Sequence, residues 1–355
     1  MFRLAMSAVL LGAAALPAQG LGVFSTLTND AKDNRVQVAV SFFGRTYPLQ
    51  SYSTGGQGTA AGLGSQAALA ATRHWLVAVN AGSDDVTLFR RWGPAFLHRS
   101  DVADTGGKRP TSVDIRGDLV YVLNADSDDV TGFRIHRGSL QLIGRYALSG
   151  AGVAAAQVGF DPTGRHVVVT ERGTNQILVF PVQGNGGLGK AKVTRSAAPT
   201  PFGFQFRRDG TLVVSEAAGG QAGLGAVTSY HLNKDGSLTT ISAGVKTTQT
   251  ASCWVAIPRD GRTAYTTNTG SSTVTGLALD HAGKLSLLDP KGVSGTLRSG
   301  AKPIDFAFDN SGRLMFVLDS GNDEVVTFWR DRQGALHLLP GSLKVPAGAA
   351  GVIAW

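Results

Sequence analysis

The chain has 355 residues, including 47 glycines, 13 prolines and one cysteine, with 43% apolar and 16% charged residues and a formal charge of +8. Glycine at nearly twice its usual share, without a three-residue period, excludes a collagen-like rod, and the apolar content excludes general disorder. A lone cysteine excludes an intrachain disulfide, so stability must rest on packing.

In chain order, the first element is a leader. Arg3 precedes an apolar run from Leu4 to Leu16 and small residues at Ala18 and Gly20, the pattern of a secretory signal peptide cleaved after Ala18 or Gly20. The competing reading is a membrane anchor, but the run is shorter than the roughly 18 residues a spanning helix needs. No later segment is long and apolar enough to cross a bilayer. Residues 1–20 are therefore expected to be a signal peptide and 21–355 one exported domain, secreted or held in the periplasm or cell envelope. Without Arg3 the balance is 32 basic against 25 acidic residues, or +7. The basic residues are scattered rather than clustered, which argues against nucleic acid and for a small anionic ligand or an acidic surface.

From residue 24 onward one unit recurs: a short apolar strand ends in a polar residue, six positions before a β-branched residue that opens the next strand. It reads FSTLTNDAKDNRV, LVAVNAGSDDV, VYVLNADSDDV, VVVTERGTNQI, LVVSEAAGGQAGLGAV (with five extra loop residues), AYTTNTGSSTV and MFVLDSGNDEV. The polar column is Asp30, Asn80, Asn124, Glu171, Glu216, Asn268 and Asp319, with a period of about 48 residues. Around each copy lie an inner strand, a glycine-containing tip, and third and fourth strands, while helix signals are nearly absent. Repeats of this length with four short strands predict an all-β fold, a seven-bladed β-propeller with four antiparallel strands per blade. Residues 21–54 hold only the outer part of a blade and GVIAW (351–355) reads as an isolated inner strand, so the two termini should complete one composite blade and close the ring.

The stretches FDPTGRHVVVTERGTNQI, TPFGFQFRRDGTLVVSEAAGG, ASCWVAIPRDGRTAYTTNTGSSTV and KPIDFAF resemble the lactonase family of seven-bladed propellers. That family includes 6-phosphogluconolactonase-like proteins and fungal carboxymuconate cyclases, and the similarity is greatest to its secreted bacterial branch. The resemblance spans the mature chain and implies hydrolysis of a sugar lactone or cyclisation of a muconate-type acid. A different class of function remains open beside it: a non-catalytic envelope propeller that binds a small anionic ligand or a protein at the channel mouth.

Loops between blades and loops joining second to third strands share one face. Fourteen residues before the polar column, Gln66, Gln157, Phe202, Trp254 and Asp305 begin inner strands, and Ser112 takes that place where the hairpin is shorter. These six are expected to ring the channel mouth and contact substrate, with Asn268 and Asp319 of the column just above. The seven histidines fall in tip turns or outer strands, so neither a histidine base nor a histidine-bound metal is expected on the loop face.

Carboxylates remain. Glu216 is the leading acid/base candidate, because Phe202 and Trp254 would desolvate it and raise its pKa; Glu171, beside Arg172, is second. Arg172, Arg109 and Lys302, with Lys108 and Arg298, are candidate donors for an acidic substrate and its developing oxyanion. The competing reading is that the acids satisfy loop amides and the bases are solvated rim charges. Cycloisomerase-like members carry Pro-Arg-His at the start of an inner strand and a glutamate in the next polar loop. Here those places read Pro201-Phe202-Gly203 and then Glu216, so the resemblance carries over the glutamate alone, and a second family histidine position holds Ala156 beside Gln157.

No cofactor or metal is expected. GGQGTAAGLG (55–64) lacks the lysine and spacing of a phosphate loop and reads as an interblade connection. Asp126, Asp128 and Asp129 are not followed by a calcium-binding loop. Cys253 has no neighbouring histidine to form a thiolate pair and reads as a buried packing residue. The protein is expected to act as a monomer on a small molecule.

Overall fold

The computed structural model describes residues 21–355, so the signal-peptide expectation lies outside the described residues. Seven antiparallel sheets of short strands follow one another, each a meander from an inner to an outer strand. The only helical element among the described residues is a 3₁₀ turn at Ala218–Gly220, and no helix is long and apolar enough to cross a membrane.

The blades follow from alternation. In the third, Leu119–Asn124 pairs with Asp129–His136, and its apolar side chains point to either side of the sheet into both neighbouring blades. Ring closure is as the terminal half-blades imply. Ala350–Ala354 is the innermost strand of the first blade and pairs with Gly22–Leu27, with Phe24 opposite Ala354. The seam is locked by Phe24 stacked on Phe316 of the seventh blade, ring centroids 4.5 Å apart. Burying a pair of phenylalanines contributes roughly 3–6 kcal/mol of transfer free energy.

Two regularities set the loop face. Between second and third strands the turn residue just before the third strand adopts a left-handed conformation in five blades (Asp84, Asp128, Asn175, Ser272, Asp323), which closes a five-residue step tightly. At the start of five inner strands the register slips, for example between Pro201 and Phe204, a bulge that re-aims the next side chains.

The first blade departs from the spacing read in sequence. Its ladder runs Leu27↔Val36, so its hairpin is two residues longer than in the second blade, where Val79 pairs with Val86. Asp30 therefore sits in the hairpin tip rather than in the column, and its carboxylate accepts the backbone N–H groups of Lys32 and Asp33.

Candidate functional site

The inner strand of the second blade is short, Leu69–Ala71, because the residues before it leave the blade. Ser65–Ala67 instead crosses the axis of the ring. Gln66 N–H donates to Ala156 in the fourth blade, and its side-chain amide pairs with both the N–H (3.0 Å) and the C=O (2.7 Å) of Val255 in the sixth. Ala67 N–H donates to the Asp305 carboxylate in the seventh blade, and its carbonyl accepts from Val113 in the third. Trp254 Nε1–H donates to Ser65 C=O at 2.9 Å. Gly203 permits this crossing: a Cβ there would lie 2.0 Å from Gln66 Oε1.

This bar closes the loop-face end of the channel. Below it a cavity of about 1830 Å³ opens on the opposite face, where the tips between first and second strands lie. The expected mouth residues are thereby split. Gln66, Gln157 and Asp305 line the cavity, whereas Phe202 and Trp254 lie above it with ring centroids 4.8 Å apart. Ser112 does not face the cavity: its hydroxyl accepts Val158 N–H across to the next blade. The expectation that the principal concavity lies on the loop face is thus corrected, because the bar fills that end.

On the loop face, Arg172 is the basic residue that the fold holds at the centre. Its guanidinium lies 5.0 Å from the Phe202 ring centroid, and Nε donates to Ala154 C=O. Burial pulls its pKa down, with the charge of Arg109 acting in the same direction. The other basic candidates sit on the rim. Arg109 pairs with Asp126 at 2.7 Å, Lys108 with Asp84 and Arg298 with Glu324, and Lys302 is exposed.

The polar column is internal. Glu216 is fully buried; Oε1 accepts Ser196 O–H (2.8 Å) and Ala198 N–H (2.9 Å), and Thr228 O–H reaches both oxygens. Burial pushes its carboxyl up, opposed by those donors. Glu171 is likewise buried and accepts Ser149 N–H and O–H and Thr174 O–H. Asp319 accepts Lys302 N–H, Gly321 N–H and Asn322 Nδ2–H, and Asn268 bonds Ser252, Thr273 and Thr275. Neither glutamate lines the cavity. The two expected acid/base residues are thus buried and hydrogen-bonded to the interblade loops at Ser149 and at Ser196–Ala198.

The cavity wall holds two carboxylates of a different kind. Asp305 is 3% exposed and accepts Ala67 N–H and its own neighbour's Phe306 N–H; burial pushes its pKa up to about 7. Asp114 is half-buried, and burial raises its pKa to about 6 against the pull of Phe160 N–H, Ile115 N–H and the Arg116 charge. Room is left above it by Gly159, whose absent Cβ would lie 3.6 Å from Asp114 Oδ2. Asp114 and Arg116, two apart on one strand, point to the same side. This pair lies in mid-strand, beyond the strand beginnings from which the mouth residues are counted. The available signal was an ionisable i, i+2 pair in an inner strand otherwise built of small and apolar residues.

At the rim stand Arg73, Arg91, Arg116, Arg208, Arg259 and Arg262, none within salt-bridge distance of a carboxylate among the described residues. Rim acids are occupied: Asp209 by Arg207, Asp260 by Arg330, Asp309 by the amides of Arg313 and Leu314. His74 and His281 also line this end, so two histidines do reach a concavity, on the face opposite the loops. No cluster of metal-ligating side chains occurs among the described residues. Cys253 is buried, and burial pushes its thiol up to about 12.

Asp305 gives a stability prediction. An acid whose folded pKa lies above its unfolded value of 3.8 favours the fold when protonated, so its contribution is lost as pH rises from about 4 to about 7. The loss amounts to about 4 kcal/mol at most. Urea denaturation at pH 5 and pH 7.5 should show the native chain weaker at the higher pH, with that difference reduced in Asp305→Asn. An equal difference in both proteins would remove Asp305 as its source.

A ring of seven four-stranded blades closed by its own termini is the architecture of the lactonase propellers. A family model described as lactonase, 7-bladed beta-propeller, matches residues 66–248 and 226–352, and the chain belongs to this family. Among solved structures it is similar to a candidate 6-phosphogluconolactonase from Bacteroides fragilis, with 18% identity, TM-score 0.77, and 96% of this chain and 99% of that chain covered. It is also similar to a periplasmic gluconolactonase from Pseudomonas aeruginosa, with 17% identity, TM-score 0.74, and 94% and 99% covered. At these identities the likeness is one of fold. No curated protein matches the chain.

Proposed function

We propose that this lactonase-family propeller opens the ring of a sugar lactone carrying an anionic group, in the cavity below the Gln66 bar. The observation that carries this reading is Asp114, a half-buried carboxylate with a pKa of about 6 on the wall of a large cavity rimmed by arginines without carboxylate partners. Membership of the family supports the reaction class.

The chemistry assigned to these residues is general-base hydrolysis. Asp114 takes a proton from a water molecule as its oxygen adds to the lactone carbonyl, and Arg116 stabilises the oxyanion that forms. The bond between the carbonyl carbon and the ring oxygen then breaks, and the proton on Asp114 passes to that oxygen, giving an open hydroxy acid. Free rim arginines such as Arg73 and Arg208 hold the substrate's carboxylate or phosphate. Export to the periplasm or beyond, and action as a monomer, belong to the same proposal; the leader pattern of residues 1–20 supports the former.

A second reading, ligand binding without turnover, is favoured by one observation: Glu216, the family glutamate carried over by resemblance, is sealed under Ser196, Ala198 and Thr228. The test is an assay of residues 21–355 against phosphorylated and unphosphorylated aldonolactones and a muconolactone. Turnover of an aldonolactone above the buffer rate, better with the phosphorylated ring, is expected. Saturable binding of the phosphorylated ring with no turnover would establish the second reading; turnover of muconolactone alone would move the substrate to muconate-type acids.

A further inference from the structure

We propose that the corner formed by the first two blades docks on an anionic lipid bilayer. Eleven large apolar side chains are exposed among the described residues, and eight of them belong to the first two of seven blades or to Leu21 just before them. That concentration is the departure from the scatter expected on a soluble surface. Leu21, Phe43, Trp92 and Phe96 are each 60–64% exposed.

These residues are neighbours by strand pairing. Gly22 lies opposite Ser41, which sets Leu21 beside the Phe42–Phe43 turn, and the two phenylalanine rings are 4.2 Å apart. Tyr52 O–H donates to Ala95 C=O at 2.9 Å, bringing the turn between Trp92 and Phe96 against the outer strand of the first blade. Tyr47 is exposed on that strand between the two turns.

Charge separates a lipid surface from other occupants. Residues 34–100 contain two carboxylates only, Asp84 in the second-to-third-strand turn and Asp85 at the start of the third strand, both at the loop face. Arg45 and Arg99 are exposed in the same stretch. Aromatic side chains at turn tips, interleaved with arginines, with Asp118 of the third blade in the groove beside Trp92 held by Arg134, match the headgroup region of an anionic membrane. There amphipathic rings partition into the interface and cations near the surface are drawn to the anionic headgroups.

The experiment is co-sedimentation of residues 21–355 with phosphatidylcholine vesicles, with and without about 30% phosphatidylglycerol, at about 50 and about 500 mM salt. Binding is expected with phosphatidylglycerol and weakly or not at all without it, falling at high salt. A Phe43→Ser/Trp92→Ser variant should bind at least tenfold less tightly. Both positions are exposed, so the variant's unchanged melting curve serves as the control for folding. Absence of vesicle binding overturns the proposal, as does equal binding by the variant. So does a concentration-dependent dimer abolished by the same substitutions, which would assign the corner to a second copy. Lipid binding and lactone turnover are read separately, so failure of one leaves the other standing.

Discussion

Asp114→Asn is expected to lower kcat for lactone hydrolysis by about 10²–10⁴-fold, the usual worth of a positioned general base. The asparagine keeps the shape of the side chain and one acceptor for Phe160 or Ile115, so the fold should persist, which a circular dichroism spectrum checks. The pH profile gives the sharper test. A base works only when unprotonated, and burial holds this one at about 6. Activity should rise about tenfold per pH unit below that value and level off above it. In Asp114→Asn the residual activity should lack that step. A variant with native kcat, or one that retains the step near pH 6, would assign the base to another residue.

The second large effect concerns Glu216. Glu216→Ala removes the acceptor of the Ser196 and Thr228 hydroxyls and of the Ala198 amide in a site closed to water, and leaves a void. Unpaired buried donors and the cavity together should cost about 3–5 kcal/mol, read as a lowered urea midpoint at unchanged slope. Glu216→Gln retains the volume and one carbonyl acceptor, so it should lose far less stability and keep its rate of lactone hydrolysis. A glutamine variant that folds normally but has lost all turnover would return Glu216 to catalysis.

That contrast shows where sequence was informative and where it misled. Blade number, strand order and composite closure were legible because each blade repeats the same hydrophobic alternation, and Ala350–Ala354 could find its missing partner only at Gly22–Leu27. The polar column was legible in position except in the first blade, where Asp30 lies in the hairpin tip, and the role of its acids was not legible. A glutamate that tethers a loop and a glutamate that moves a proton occupy the same place in a repeat. The discriminating signal is a threonine seven residues on, as in Asn80 with Thr87, Asn124 with Thr131 and Asn268 with Thr275; Glu216 with Thr228 is the same pair after the five-residue insertion. A partner at fixed spacing in four of the seven blades marks an internal brace.

The Gln66 bar was hidden for the opposite reason: it occurs once. Periodicity averages over copies and cannot show a segment that leaves its blade to hydrogen-bond with four others. Its traces were an interblade connection lengthened by the glycine-rich run 55–64 and the unusually small Gly203 facing it. Asp114 was missed with it, since a ring of residues counted from strand beginnings describes the end that the bar fills.

The pairing of Phe24 with Ala354 also orders events in time. Two strands 330 residues apart must meet before the first blade has its full complement, so that blade waits until the chain has been made through Ala354. Contacts of such high sequence separation form slowly. Until they form, the first and seventh blades each present an unpartnered apolar flank, including Phe24 and Phe316. The interval before Ala350–Ala354 reaches Gly22–Leu27 is therefore when the chain is most exposed to aggregation and proteolysis, and when a chaperone would have most to hold.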